Sequence, residues 1–316
     1  MKKKFLIIIF LCLSSVNQLF AQSFHVDFLF NPGTTFGTDY LFPSAINDST
    51  DFQLIKYKLQ FVKPLKTKFG VDLKNFDFKK MDAKANQVFL TSKLNVSQPA
   101  LSDNNYFENI YKGEIGIMAI TASIRNGIWI YSANIYAEEN GTTLKESFTP
   151  NFRGYIANIN IKNLKFIYFY GVGLAINQGK FYPVPVFGFR TKIAPKLRAE
   201  LIVPVHVKLN YEISNKVNLD LASYFSGINA IYREGSAFQG NDNTLNLRQL
   251  KIYLGLNAKL GKHYKLKTEV GYAGLQKIDA LSSDYNQKVQ AAPYLSISFN
   301  YHFGKSVFAN FINREE

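Results

Sequence analysis

Four histidines, His25, His206, His263 and His302, are the side chains best suited to proton transfer or metal binding, and they lie far apart along the chain. The single cysteine, Cys12, falls in an N-terminal apolar run, so an exported chain that loses this run has no thiol left for nucleophilic or disulfide chemistry. The sequence has no G-x-S-x-G elbow, no H-E-x-x-H pair and no EF-hand loop. Gly304-Lys305-Ser306 resembles the end of a phosphate-binding loop, but Phe299 stands where the first glycine belongs. Asp279, Asp284 and Asn241-Asp242-Asn243 are oxygen-rich, a composition that reads as solvated turns before it reads as a cation site. No cofactor or metal is expected, and no catalytic residue stands out. Charge carries more information: 37 Lys and Arg face 23 Asp and Glu, a formal charge of +14 that falls by three to +11 without Lys2, Lys3 and Lys4. What that charge can do depends on the elements that hold it.

Those elements are strands. From Lys196 to Phe225 the odd positions Leu197, Ala199, Leu201, Val203, Val205, Val207, Leu209, Tyr211 and Ile213 are all apolar, whereas most even positions, such as Arg198, Glu200, His206, Lys208, Asn210 and Glu212, are polar. A period of two gives a ribbon one apolar and one wet face. The pattern resumes after Ser214-Asn215-Lys216 with Val217, Leu219, Leu221 and Phe225. A three-residue turn in a hairpin preserves outward parity and a two-residue turn switches it. Ile213 to Val217 skips three residues and stays odd, and Leu260 to Tyr264 skips three and stays even. Ile161 to Leu164 skips Lys162-Asn163, and the expected outward set changes from Ile159 and Ile161 to Phe166, Tyr168, Tyr170, Val172, Leu174 and Ile176.

Met1-Lys2-Lys3-Lys4, the apolar run Phe5 to Leu13 and Leu19-Phe20-Ala21 have the order of a secretory signal peptide cleaved after Ala21. The run is too short for a retained membrane helix. The expected division is residues 1–21 signal peptide, 22–305 barrel and 306–316 C-terminal tail. Alternating strands are expected over Ser23 to Phe30, Phe52 to Phe61, Phe69 to Leu73, Val88 to Val96, Tyr264 to Leu275 and Tyr294 to Phe303, among others. Asn31 to Asp51, Ser97 to Lys112, Glu138 to Arg153, Gly227 to Asn246 and Gln276 to Gln290 read as long polar loops, and Pro64 as a tight turn. Arg125-Asn126-Gly127 is a hairpin signal between two strands that alternate poorly.

Long loops alternating with short turns, strands of about 9–11 residues and abundant aromatics describe an outer-membrane β-barrel. Aromatics are 15% of this chain, 28 of them Phe and 19 Tyr. A soluble sandwich would not leave Phe166, Tyr168, Tyr170, Val172, Leu174 and Ile176 on one face. The fold class is therefore all-β, a single antiparallel transmembrane barrel. Fifteen strands can be counted, but single-chain bacterial barrels have even numbers. Fourteen is the expectation, within a range of twelve to sixteen, with the miscount placed between Asn75 and Lys112 or at Pro204.

Tyr170-Gly171-Val172-Gly173-Leu174, Tyr182-Pro183-Val184-Pro185, Phe187-Gly188-Phe189, Leu201-Ile202-Val203-Pro204, Tyr211-Glu212-Ile213-Ser214 and Leu219-x-Leu221-Ala222 resemble a family of Gram-negative outer-membrane β-barrels known only as a domain of unknown function. The likeness covers residues 165–230 best. It implies an outer-membrane address and a closed barrel and supplies no catalytic residues. The final strand resembles the aromatic-ended strands read by barrel assembly machinery, although Lys305 to Glu316 extend past Phe303.

On this frame, inward parity collects Lys56, Lys58, Lys68, Lys74, Lys165, Arg190, Lys192, Lys196, Arg198, Lys208, Lys251, Lys259, Lys265 and Lys267 against Asp72, Glu200, Glu212, Asp220 and Glu269. Lys56, Lys58, Lys165, Arg190, Arg198, Lys208, Lys251, Lys259 and Lys267 are the candidate basic lumen, which would favour anions. The bland alternative is that many of these sit at strand ends and meet solvent or lipid phosphate. The expected function is a non-enzymatic, porin-like channel or passive transporter for small solutes, anions among them. The alternatives are a plugged structural or lipid- and surface-binding barrel, and a barrel enzyme acting on membrane lipid, which requires a Ser or His to meet an acid at the lipid-facing rim and is tested by removing His206 or His302. The expected partners are outer-membrane lipid and lipopolysaccharide, with assembly machinery during biogenesis. Nucleic acid is not expected, because the basic residues are spread over many strands.

Overall fold

The computed structural model of the chain describes residues 32–72, 82–102, 108–123, 127–140, 149–163, 165–177, 180–203, 206–232, 244–280 and 285–303. The expected signal peptide, the strand expected over Ser23 to Phe30 and the C-terminal tail lie outside the described residues. These residues form β1 (Gly33–Ala45), β2 (Asp51–Asp72), β3 (Asp82–Leu101), β4 (Ile110–Ser123), β5 (Gly127–Asn140), β6 (Asn151–Asn163), β7 (Phe166–Asn177), β8 (Lys180–Ala194), β9 (Leu197–Val203), β10 (His206–Ser214), β11 (Val217–Ile231), β12 (Thr244–Lys259), β13 (Tyr264–Ala280), β14 (Tyr285–Val289) and β15 (Ala292–His302). No helix occurs among them.

Neighbouring strands pair antiparallel, and β1 closes the ring by pairing with β15, from Gly33 opposite His302 to Leu41 opposite Tyr294. β14 and β15 are two halves of one stave, since β13 pairs with β15 up to Ala273 and with β14 from Gln276 onward. The barrel therefore has fourteen staves. At the break, Leu275 takes φ 49° as part of a bulge. Gln276 Nε2 clamps the junction by donating to the Gln290 carbonyl (2.7 Å), Ser44 Oγ (3.0 Å) and the Ala273 carbonyl (3.2 Å).

The outward face is apolar on nearly every stave. Val207, Leu209, Tyr211 and Ile213 of β10 point outward, and so do Ile252, Leu254 and Leu256 of β12 and Ile297, Phe299, Tyr301 and Phe303 at the C-terminal end. Aromatics gather toward the end of the barrel that carries the short turns, where Tyr264 stacks on Phe299 at 5.6 Å and Phe61 meets Phe303 edge-on at 5.5 Å. Such a girdle is what a membrane interface selects. Gly188 lies inside the wall beneath the Phe169 ring; a Cβ there would come within 2.3 Å of Phe169 Cζ. The Phe187-Gly188-Phe189 motif thus keeps room for an inward aromatic.

Several expectations need correction. Asn31 to Asp51 is mostly strand β1, not a loop. Its inward positions Gly33, Thr35, Gly37 and Asp39 are small or polar and mimic turn composition, while Phe36 and Phe42 face out. Pro64 does not turn the chain: β2 runs through it, with a bulge between Pro64 and Lys66. A bulge is one place a sheet tolerates proline. The strand count was thus disturbed at β1 and Pro64, not between Asn75 and Lys112. Between Val203 and His206 the ribbon does break, since β9 ends at Val203 and Ile202 pairs back onto His206 of β10. The polar loops are shorter than expected, because β3 continues to Leu101, β5 to Asn140, β11 to Ile231 and β13 to Ala280. Finally, Ile159 points inward, not outward: it pairs with Phe169, and a bulge between Ile161 and Asn163 cancels the parity switch expected of the turn.

The loop end of the barrel is uneven. β10 begins at His206 opposite Tyr224, so Phe225 to Ile231 of β11 rise above it. There Ile231 pairs in parallel with Glu139 of β5, although β6 to β10 separate the two strands along the sheet. The tall staves close over the short ones.

Candidate functional site in the lumen

Because side chains alternate, each strand contributes every second residue to the interior. The interior falls into three levels. At the loop end Leu41, Phe52, Leu54, Leu101, Ile110, Ile228, Tyr232, Leu245, Leu247, Ile278 and Val289 form one continuous buried apolar cluster with Tyr224, Tyr253 and Tyr294. Phe52, Ile110, Ile228 and Tyr232 are each 1% exposed. At the turn end Val62, Phe89, Met118, Ile120, Ile128, Ile130 and Ile159 form a second cluster against one side of the wall. Between the clusters lies a polar level around a cavity of about 300 Å³. Gly33, Lys265 and His302 line this cavity too, so it runs to the turn end along β1, β13 and β15.

The second cluster explains why β4 and β5 alternate poorly. Ile115, Ile117, Tyr131 and Ile135 face outward, yet Met118, Ile120, Ile128 and Ile130 face inward and are also apolar. Over this turn-end stretch both faces of the strands are dry.

The polar level is built from ion pairs. Asp39 of β1 is held by Lys58, by Lys251 Nζ at 3.4 Å and by Ser296 Oγ, which donates at 2.7 Å. Lys112 reaches Glu138 at 2.8 Å and lies 4.6 Å from the centre of the Tyr136 ring. Arg153 grips Glu114 with Nε at 3.0 Å and with Nη2 on both carboxylate oxygens. Lys267 pairs with Glu269 at 2.8 Å. On the low side of the barrel Arg190 donates to Glu200 Oε2 from Nε (2.9 Å) and Nη2 (2.7 Å), with Lys208 3.8 Å and His206 3.7 Å from Oε1. Asp220 accepts from Asn210 (2.6 Å) and Asn257 (2.7 Å). Buried charges persist only when paired and hydrogen-bonded, and these are.

The nine candidate lumen residues separate accordingly. Lys56, Lys58 and Lys267 line the cavity. Lys251 and Lys208 are buried in the wall beside Asp39 and Glu200, and Arg190 shares Glu200. Arg198 is 3.9 Å from Glu212 and a third exposed. Lys259 ends β12 next to the turn, where its backbone N–H donates to the Lys216 carbonyl. Lys165 is not a lumen residue: it lies exposed in the β6–β7 turn, ahead of the first residue of β7. Lys74 lies outside the described residues. Reading by parity missed Asp39, Lys93, Lys112, Glu114, Glu138 and Arg153. Asp39 was hidden in a supposed loop, and Lys112, Glu138 and Arg153 in supposed loop ends. Lys93 could have been found, because Leu90, Leu94 and Val96 mark the opposite face of β3.

Among the described residues no cluster of three or more His, Cys, Asp or Glu could hold a metal ion. His206 and His302 both point into the barrel, and His302 lines the cavity.

A family model described as "Domain of unknown function (DUF6268)" matches residues 17–311. No curated protein matches the chain. Among solved structures, the β domain of the Bordetella autotransporter BrkA is 8% identical, with 86% of this chain and 100% of that one covered at a TM-score of 0.32. The translocator domain of the autotransporter NalP from Neisseria meningitidis is 11% identical, with 86% and 88% covered and a TM-score of 0.33. Outer membrane phospholipase A from Escherichia coli is 11% identical, with 86% and 98% covered and a TM-score of 0.29. Likenesses this weak carry no functional information.

Proposed function

The chain belongs to the DUF6268 family, and from that premise we propose that it is a non-catalytic outer-membrane barrel, shut at rest toward its loop end, which admits a small solute into its lumen from the turn end. The observation that carries this reading is the apolar cluster under the loops. An open pore needs a continuous wet path, whereas here residues from β1 to β4, β11 to β13 and the β14–β15 stave meet across the lumen with their side chains buried. Strand side chains supply the closure. The apolar outer surface and the aromatic girdle support a membrane setting, and the basic N-terminal run ending at Ala21 supports export with cleavage there.

Ion pairing also argues against a constitutive anion pore. Rings of unpaired Lys or Arg attract anions, whereas most inward cations here have a carboxylate partner. Reconstituted vesicles test the proposal. Folded barrel should leave them osmotically tight to small sugars and carboxylates, and swelling at porin-like rates would refute it. Recovery of the protein from washed outer membranes, with heat-modifiable mobility, checks the address.

A further inference from the structure

Two cavity lysines stand apart from the ion-pair network. Lys56 faces Asp39 directly in the β1–β2 register, but Asp39 is engaged by Lys58 and Lys251. Lys93 faces Glu114 directly in the β3–β4 register, but Glu114 is gripped by Arg153. Each lysine therefore lies opposite a carboxylate that another cation has taken. Among the described residues neither has a carboxylate within ion-pair distance, and both line the cavity. Lys56, Lys112 and Arg153 are among the charged groups acting on Lys93. Lys56, Lys58, Lys93, Lys112, Lys251 and Arg153 make six cations around the three carboxylates of Asp39, Glu114 and Glu138.

We propose that Lys56 and Lys93 form an anion-binding subsite in the lumen, which takes a small solute carrying two negative charges, as a phosphate or a dicarboxylate does. A lysine held inside a barrel without a partner is costly, and a counter-anion from solution removes that cost. Geometry agrees with a two-point site. Gln60 lies beside Lys93, and Lys56 is four residues further along the same strand, so the two Cα atoms are about 14 Å apart. Two extended lysine side chains can close most of that span around one ligand. The way in is the turn end, where Gly33, Lys265 and His302 line the cavity. This subsite deepens the solute-binding reading and rests on it.

The test uses the complete barrel, folded in a phosphate-free maltoside detergent, with inorganic phosphate and citrate as probes and sucrose as the uncharged control. Calorimetry should find saturable, salt-sensitive binding of at least one anion and none of sucrose. Lys56→Gln and Lys93→Gln should each weaken binding about tenfold or more, the scale of one lost charge-assisted hydrogen bond. Lys165→Gln, the same charge change on the exposed β6–β7 turn, should leave it unaltered. Binding that ignores Lys56→Gln and Lys93→Gln, or that Lys165→Gln weakens equally, would overturn the subsite, and so would no binding to folded protein. As a second readout, Lys56→Met and Lys93→Met should raise the temperature of heat modification without ligand; a fall in both would mean the lysines are structural and would also overturn it. Vesicle swelling separates the two proposals. Tight vesicles without anion binding remove the subsite alone, and leaky vesicles with anion binding remove the shut barrel alone.

Discussion

The walls built by β9 to β11 and by β4 and β5 obey the same pleat, yet only the first announces itself in sequence. On β10 the outward Val207, Leu209, Tyr211 and Ile213 alternate with His206, Lys208, Asn210 and Glu212, because that part of the lumen is wet. At the turn end of β4 and β5 the inward Met118, Ile120, Ile128 and Ile130 fill the lumen instead, so no polar residue marks the inside of that stretch. Clean alternation in a barrel reports a polar interior as much as a greasy exterior. Where alternation fails between well-formed strands, the interior is packed.

That contrast can be broken by deleting one aromatic on each kind of surface. Phe89, wholly buried in the turn-end cluster, should cost about 3–5 kcal/mol as Phe89→Ala in urea unfolding from lipid vesicles, because nothing refills the space. Phe187 is outward and 52% exposed. Lipid refills its place, so Phe187→Ala should cost only about 1 kcal/mol. Equal losses would mean the lumen is not packed as described.

Within the wet wall, Glu200 carries the next largest effect. Glu200→Ala removes the carboxylate that Arg190 grips and that Lys208 lies beside, and should cost roughly 3 kcal/mol, the low end for breaking a buried pair because Arg190 keeps some solvent access. A loss below about 1 kcal/mol would make this an ordinary surface pair. On the other face of the same wall, Leu209→Lys should cost about 2–4 kcal/mol in bilayers if the residue lies near the midplane. The same variant in detergent should lose less, and an equal loss in both would argue that Leu209 does not face lipid. The smallest effect is expected at the girdle, where Tyr264→Ala removes a stacked partner of Phe299 worth about 1 kcal/mol.

What the sequence made legible follows the same division. The barrel and the outward faces of β7 and of β9 to β13 could be read from parity alone, whereas the fourteen staves needed the even-number rule to correct a count of fifteen. β1 could not, because Gly33, Thr35, Gly37 and Asp39 look like turn formers when they are lumen residues. Pro64 could not, because a bulge hides a proline inside a strand. Parity placed Lys56, Lys58 and Lys251 on the inward face but could not say who pairs with whom. Asp39 of β1 meets Lys251 of β12 past the two intervening staves, from residues more than two hundred positions away in sequence, a contact no local pattern encodes. The closure under the loops was invisible for a related reason. Leu41, Leu101, Ile110, Ile228, Leu245, Ile278 and Val289 come from strand ends that read as polar loops, so the cluster is complete only once the tall staves have curled over the short ones.

The central claim, a barrel shut by its own strand side chains, is tested most directly by single-channel recording of the folded protein in a planar bilayer. The account predicts no steady conductance from the wild type. It predicts discrete openings once the loop-end cluster is thinned by Phe52→Ala together with Tyr232→Ala, two side chains that are each 1% exposed. Steady wild-type conductance that the double variant leaves unchanged would contradict it.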